Sequence, residues 1–150
     1  MKTIIVALDF SDMTPVVLDH ALRLAKVFDA TLHLVHTMDP GPNYALYGFS
    51  PAEFPINPLN DQLRDATESR LDELAESTGL PRSKVITAAI QAMPVDGILG
   101  YAKQENADLL VLGAHGHGFL TSMLVGSVAQ GIVRRAELPT LIIPCRPAAG

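Results

Sequence analysis

Short, unbroken apolar runs alternate along this chain with longer stretches in which apolar residues recur every three or four positions. Thr3-Ile4-Ile5-Val6-Ala7-Leu8 is the first run. It is β-branched and without polar interruption, as a strand buried on both faces requires. Ser11-Asp12-Met13-Thr14-Pro15 offers cap residues with a proline in the first turn. Val17, Leu18, Ala21, Leu22, Ala25 and Phe28 follow at helical spacing. Residues 31–36 read as a second strand. Residues 59–78 read as a helix with Asp, Glu and Arg on one side and Leu63, Ala66, Leu71 and Leu74 facing a core, stopped by Gly79. A third strand (84–90), a third helix (94–106, with Ile98, Leu99 and Ala102 apolar) and a fourth strand (108–112) come next. The last helix, 127–136, carries Val128, Ala129, Ile132, Val133 and Ala136 as one stripe, and residues 139–144 form a fifth strand.

Strands alternating with helices predict an α/β fold: a parallel sheet, right-handed crossovers and helices on both faces. Ligands of such sheets bind at the carboxyl ends of strands, where the strand order reverses. Asp9 follows the first strand and Gly113 the fourth, so the two meet across one crevice if those strands are neighbours. Residues 1–150 are expected to form one domain, interrupted at 39–60 by a loop with five of the chain's 11 prolines. Tyr44, Tyr47, Phe49 and Phe54 in that loop either cover a ligand or partner, or pin the loop to the body.

The segment after the fourth strand carries the clearest chemistry. Gly113, two residues, Gly116, nine residues, then Gly126-Ser127 lead from a strand into a helix start. Glycines let backbone amides approach an anion unobstructed, and the first turn of a helix presents unpaired N–H groups with partial positive charge. No lysine precedes Ser127, so the pattern is not a P-loop, and Gly113, Gly116 and Gly118 have the wrong spacing for a GxGxxG dinucleotide turn. Ser127 can donate through both Oγ and N–H. Asp9 is either a turn or capping carboxylate or a ligand contact. A carboxylate repels bare phosphate, so its contact would be a ribose hydroxyl or a phosphate-bound Mg²⁺.

Composition narrows the classes. Apolar residues make up 48% and charged residues 18%, which excludes disorder. The net charge is −5 with no basic run, which argues against nucleic acid. No apolar stretch is long enough to span a membrane, and Met1 to Leu8 is too short for a secretory segment. With one cysteine, Cys145, no internal disulfide is possible, which suits a reducing, cytoplasmic setting. Cys145 has no neighbouring base motif and reads as an inert thiol. Neither HExxH nor CxxC occurs, so His20, His33, His36, His115 and His117 do not make a zinc motif. His115 reads as a loop brace or a phosphate contact.

Ile4-Ile5-Val6-Ala7-Leu8-Asp9-Phe10-Ser11, Leu34-Val35-His36, the G-x2-G-x9-G-S run at 113–127 and Leu138-Pro139-Thr140-Leu141-Ile142-Ile143 together resemble the universal stress protein family, in its ATP-binding branch. The resemblance implies a Rossmann-like, adenine nucleotide alpha hydrolase-like fold: a five-stranded parallel sheet of order 3-2-1-4-5. It also implies homodimers paired through the last strand. It places Asp9 near the ribose and a phosphate-bound metal, and Thr37 near adenine; Ala7 and Leu8, which lead into Asp9, are further candidate nucleotide contacts. Gly113, Gly116, Gly126 and Ser127 fall around the phosphates, with Leu112 and Val128 flanking. Three departures stand out: Thr37 where valine is common, Ala129 where a hydroxyl residue is frequent, and Gln91-Ala92-Met93-Pro94 without the usual glycine.

The leading expectation is a cytoplasmic ATP-binding sensor or regulatory homodimer of the stress response, with Mg²⁺ on the phosphates. AMP or cyclic AMP are alternative ligands. A slow ATP hydrolase or adenylyl-transferring enzyme on the same scaffold is the alternative function. Catalysis needs a positive group for the developing charge, and no Lys or Arg lies between Gly113 and Ser127, so turnover is expected to be slow or negligible. Leu141, Ile142 and Ile143 would leave an apolar sheet edge in a monomer, and a two-fold partner would cover it.

Overall fold

The computed structural model describes residues 1–40, 58–115 and 125–145, with side chains from residue 61 onward in the second helix. Gly116, His117 and the aromatic residues of the 39–60 loop lie outside the described residues. The elements run β1 (Thr3–Ala7), α1 (Thr14–Phe28), β2 (Thr31–Met38), α2 (Pro58–Ser77), a 3₁₀ turn (Arg82–Lys84), β3 (Val85–Gln91), α3 (Pro94–Gln104), β4 (Leu109–Gly113), α4 (Ser127–Arg135) and β5 (Thr140–Ile143). All strand pairs are parallel, as the alternating pattern predicts, and the order is β3-β2-β1-β4-β5, as the family resemblance implies.

Of the three inner strands, β1 and β4 are almost wholly apolar because helices cover both faces, while β2 also carries His33, His36 and Thr37. Ile4, Val6, Leu32, Leu34 and Val111 point into one core layer with Val17, Leu18 and Ala21 of α1 and Leu71 and Ala75 of α2. Ile5, Val35, Leu110 and Leu112 point into the other, with Ile98 and Ala102 of α3 and Ala129 and Ile132 of α4. The chain therefore lays α1 and α2 on one face while moving outward from β1 to β3. It then crosses back to lay α3 and α4 on the other. Order reverses between β1 and β4, where Ala7 stands opposite Leu112.

Three helix faces differ from the sequence reading. On α2, Leu63 is exposed at 55% and Ala66 is also exposed. The buried row is Thr67, Leu71 and Ala75, at four-residue steps, and the Thr67 hydroxyl is accommodated by donating to the Leu63 carbonyl at 2.8 Å. On α4, Ala129 and Ile132 face the sheet, leaving Val133, one residue and about 100° further round, exposed. On α1, Phe28 at the end of the stripe is half exposed. The second strand also runs two residues past His36, because its ladder with β3 continues through Thr37–Ile90 and Met38–Gln91. No helix among the described residues is long and apolar enough to cross a membrane.

Candidate functional site

Beyond the Ala7–Leu112 pair the chain leaves the sheet in opposite directions, toward α1 on one face and toward α4 on the other. The divergence opens a cavity of about 340 Å³ at the carboxyl ends of β1, β2 and β4. Ala7, Leu8, Leu112 and Gly113 form its floor, and Asp9 stands at the β1 exit. His36 and Thr37 come from β2, Ala114 and His115 from the β4 exit, and Gly126, Ser127, Val128 and Ala129 from the start of α4. Every described candidate from the sequence thus lines one cavity. Sequence reasoning misses Met13, Thr14 and Val17 of the α1 start, and Pro94 and Ile98 of α3. The spacing of Thr14 with Val17 and Leu18 is the available signal, since it puts all three on one helical face.

Three helices begin around this cavity, and none carries a side-chain cap: their N-cap residues are Met13, Met93 and Gly126. Pro15 and Pro94 remove one amide each from the first turns of α1 and α3. In α4 the amides of Ser127, Val128 and Ala129 have no carbonyl inside the helix to pair with. The Gly126 N–H is already committed, donating to the Ala114 carbonyl at 2.7 Å and tying the two ends of the 114–126 segment together. Gly126 has φ −63° and ψ 161°, a conformation open to any residue. Gly126 lines the cavity, and its backbone shape does not require a glycine.

The β1–α1 turn is braced internally. Asp9 Oδ1 accepts the Ser11 N–H at 3.0 Å, Ser11 Oγ accepts the Met13 N–H at 3.3 Å, and the Ser11 carbonyl accepts the Thr14 N–H at 3.0 Å. The expected cap residues are thus used in the turn that precedes the helix, and the N-cap itself is Met13. Asp9 is thus a turn brace, and it also lines the cavity. Phe10 between them has φ +58°, a left-handed conformation rare for a bulky residue. It is held there by stacking on His36, with ring centroids 4.3 Å apart, under the Arg70 guanidinium at 4.6 Å. His36 Nδ1 lies 2.7 Å from the Leu8 carbonyl. A carbonyl only accepts, so Nδ1 carries the proton and Nε2 of the neutral ring is an acceptor.

Thr37 is positioned from behind. A Cβ on Gly97 would fall 2.9 Å from Thr37 Cγ2 and 3.0 Å from Ala92 Cβ, so α3 reaches the end of β2 only through that glycine. His33 belongs elsewhere. It is buried, with Nδ1 3.0 Å from the Tyr101 hydroxyl, and burial holds its pKa below the ordinary 6.5 while Glu105 pulls the other way. Burial likewise raises the Tyr101 pKa. Among the described residues no cluster of three His, Cys, Asp or Glu side chains could hold a metal ion.

A sequence model of the universal stress protein family matches residues 1–144. The chain is 30% identical to universal stress protein MJ0531 of Methanocaldococcus jannaschii over 145 residues, covering 95% of this chain and 81% of that one. Among solved structures, protein MJ0577 of the same organism superposes with a TM-score of 0.79 over 98% of both chains, at 23% identity, which speaks for the fold. A universal stress protein crystallised in complex with cAMP is 27% identical, with a TM-score of 0.62 over 95% of both chains.

Proposed function

The chain belongs to the universal stress protein family, and from that premise we propose that it binds an adenine nucleotide in the cavity between β1 and β4. One observation carries the reading: uncapped helix starts and a small-residue wall converge at the point where strand order reverses. The structural relative crystallised with cAMP supports the ligand class.

In this reading the base lies toward Thr37 on β2 and the phosphates toward Gly113 and the Ser127–Ala129 amides. ATP is the leading ligand. The glycine-punctuated sequence from Gly113 to Ser127 suits more than one phosphate, and Asp9 stands at the same wall. A Mg²⁺ ion needs one or two carboxylates plus phosphate oxygens, so Asp9 with a polyphosphate is a sufficient donor set; such an ion would neutralise the phosphates facing that carboxylate. The protein works as a cytoplasmic homodimeric sensor. Nucleotide shifts its conformation only by the difference in affinity between two states. Leu141 and Ile142 are partly exposed on the edge strand β5, which supports pairing through that edge.

The test is to denature purified protein, identify released nucleotide by mass, and titrate the emptied protein with ATP–Mg²⁺, AMP and cyclic AMP by calorimetry. ATP is expected to bind most tightly, and binding of no adenine nucleotide overturns the reading. Light scattering should give about twice the 16.1 kDa chain mass; a single-chain mass refutes the dimer.

A further inference from the structure

Four polar side chains are buried among the described residues: Thr14, His33, Thr67 and Thr78. Three are satisfied within the protein. His33 meets Tyr101, the Thr67 hydroxyl donates to the Leu63 carbonyl at 2.8 Å, and the Thr78 hydroxyl donates to the Ala75 carbonyl at 2.6 Å. Thr14 is the exception. It is 6% exposed, and its Oγ1 has no hydrogen-bond partner. The reason is positional. A helical threonine usually returns its hydroxyl to the carbonyl four residues back, but Thr14 opens α1, and the residue four back is Phe10, outside the helix in its left-handed turn. Thr14 also lines the cavity. A hydroxyl hidden from water without a partner is a standing penalty in the empty protein. Valine would occupy the same shape without it.

The surroundings indicate what the hydroxyl is for. Met13 and Val17, on the same first turn of α1, flank Gly113: a Cβ built there would be 3.7 Å from Met13 Cβ and 3.4 Å from Val17 Cγ2. Thr14 therefore belongs to the β4 side of the cavity, away from Thr37 on β2. It enters from the α1 face of the sheet, opposite the α4 amides. We propose that the Thr14 side chain turns about χ1 when nucleotide binds, so that its hydroxyl, hidden in the empty protein, donates a hydrogen bond to a phosphate oxygen and completes from one face of the sheet a grip that the α4 amides make from the other. This rests on the nucleotide reading of the cavity and adds a donor that recognises the anion rather than the base.

The experiment compares wild type, Thr14→Val and Thr14→Ser by calorimetry with adenosine, AMP and ATP–Mg²⁺, and by melting without nucleotide. Thr14→Val should melt at or above wild type when empty, because it removes an unsatisfied group. It should bind AMP and ATP roughly 10- to 100-fold more weakly, the range for a hydrogen bond to a charged acceptor, and adenosine unchanged. Thr14→Ser, which keeps the hydroxyl, should bind as wild type does. Unchanged AMP and ATP affinity in the valine variant overturns the proposal while leaving the nucleotide site standing. An equal loss for adenosine overturns the phosphate assignment, and a lowered melting point of the empty valine variant marks the hydroxyl as structural. If wild type binds no adenine nucleotide, the site reading itself fails and takes this proposal with it.

Discussion

The β1–β4 pair is finished differently at its two ends. At the amino end the Asp108 carboxylate accepts the Lys2 N–H at 2.6 Å and the Thr3 N–H at 2.9 Å, both on Oδ2, while the Asp108 N–H donates to the Thr3 carbonyl at 2.9 Å. One residue sews the two strands together. At the carboxyl end the same strands part, the neighbouring helices begin without capping side chains, Phe10 is held in a strained conformation and the Thr14 hydroxyl has no partner. The amino end is closed by its own side chain, whereas the carboxyl end leaves its helix starts without a side-chain cap, as the proposed anion site requires. The comparison separates residues whose loss should change stability from residues whose loss should change binding.

The largest expected effect comes from filling the carboxyl-end wall. Gly126→Val fits the observed extended backbone but puts a branched side chain beside the α4 amides. ATP affinity should fall by roughly 100-fold or more, since a clash discriminates more sharply than a lost contact, with little change in melting temperature. Unchanged affinity would mean that the anion lies elsewhere and would dissolve the contrast between the two ends.

Two glycines of α3 sharpen the contrast. Gly97→Ala sets a methyl 2.9 Å from Thr37 Cγ2 and 3.0 Å from Ala92 Cβ, so helix and strand end must separate. This should cost about 1–3 kcal/mol of stability, as overpacking does, and weaken nucleotide binding by displacing Thr37. At Gly100, one turn on, an added methyl would meet nothing within 4 Å, so Gly100→Ala should stabilise by about 0.5–1 kcal/mol through helix propensity alone and leave binding intact. Chemical denaturation and calorimetry on both variants check the pair; equal behaviour would mean that α3 does not position Thr37.

How much of this is legible in the sequence depends on what each residue's role is measured against. β1 and β4 are readable because burial on both faces demands unbroken apolar runs, and the crevice follows once the family resemblance supplies the strand order. The floor and α4 start are readable because glycine spacing is itself local. Thr14 is not, although it shares a face with Val17 and Leu18: a threonine before a helix reads as a cap, and only the fold shows that Asp9 and Ser11 have already braced that turn. The α2 row misleads because Thr67, satisfied within its own helix, takes a place that an apolar pattern assigns to Ala66 or Leu63. The strain at Phe10 leaves no mark in composition, since its supports His36 and Arg70 come from other elements.

Asp108 is the hardest case for sequence reading, because its partners are more than a hundred residues away and are brought to it by the β1–β4 register. It also gives the smallest and most specific prediction. The Lys2 and Thr3 amides, in that order, hold its pKa below the ordinary 3.8. A carboxylate with a lowered folded pKa contributes stability that is present above its unfolded value and lost as pH falls through the folded value. Melting temperature should therefore decline on acidification from about pH 4 downward. Asp72, lowered chiefly by the Arg82 hydrogen bond, declines in the same window, so the Asp108 share must be read as a difference between variants. Asp108→Asn keeps an acceptor oxygen but no charge, and should melt slightly below wild type at neutral pH, with the gap closing in acid. Asp108→Ala should melt lower still. Neither should alter ATP affinity. A binding defect in either variant would show that the two ends of the β1–β4 pair are coupled, so that the closed end helps to shape the open one.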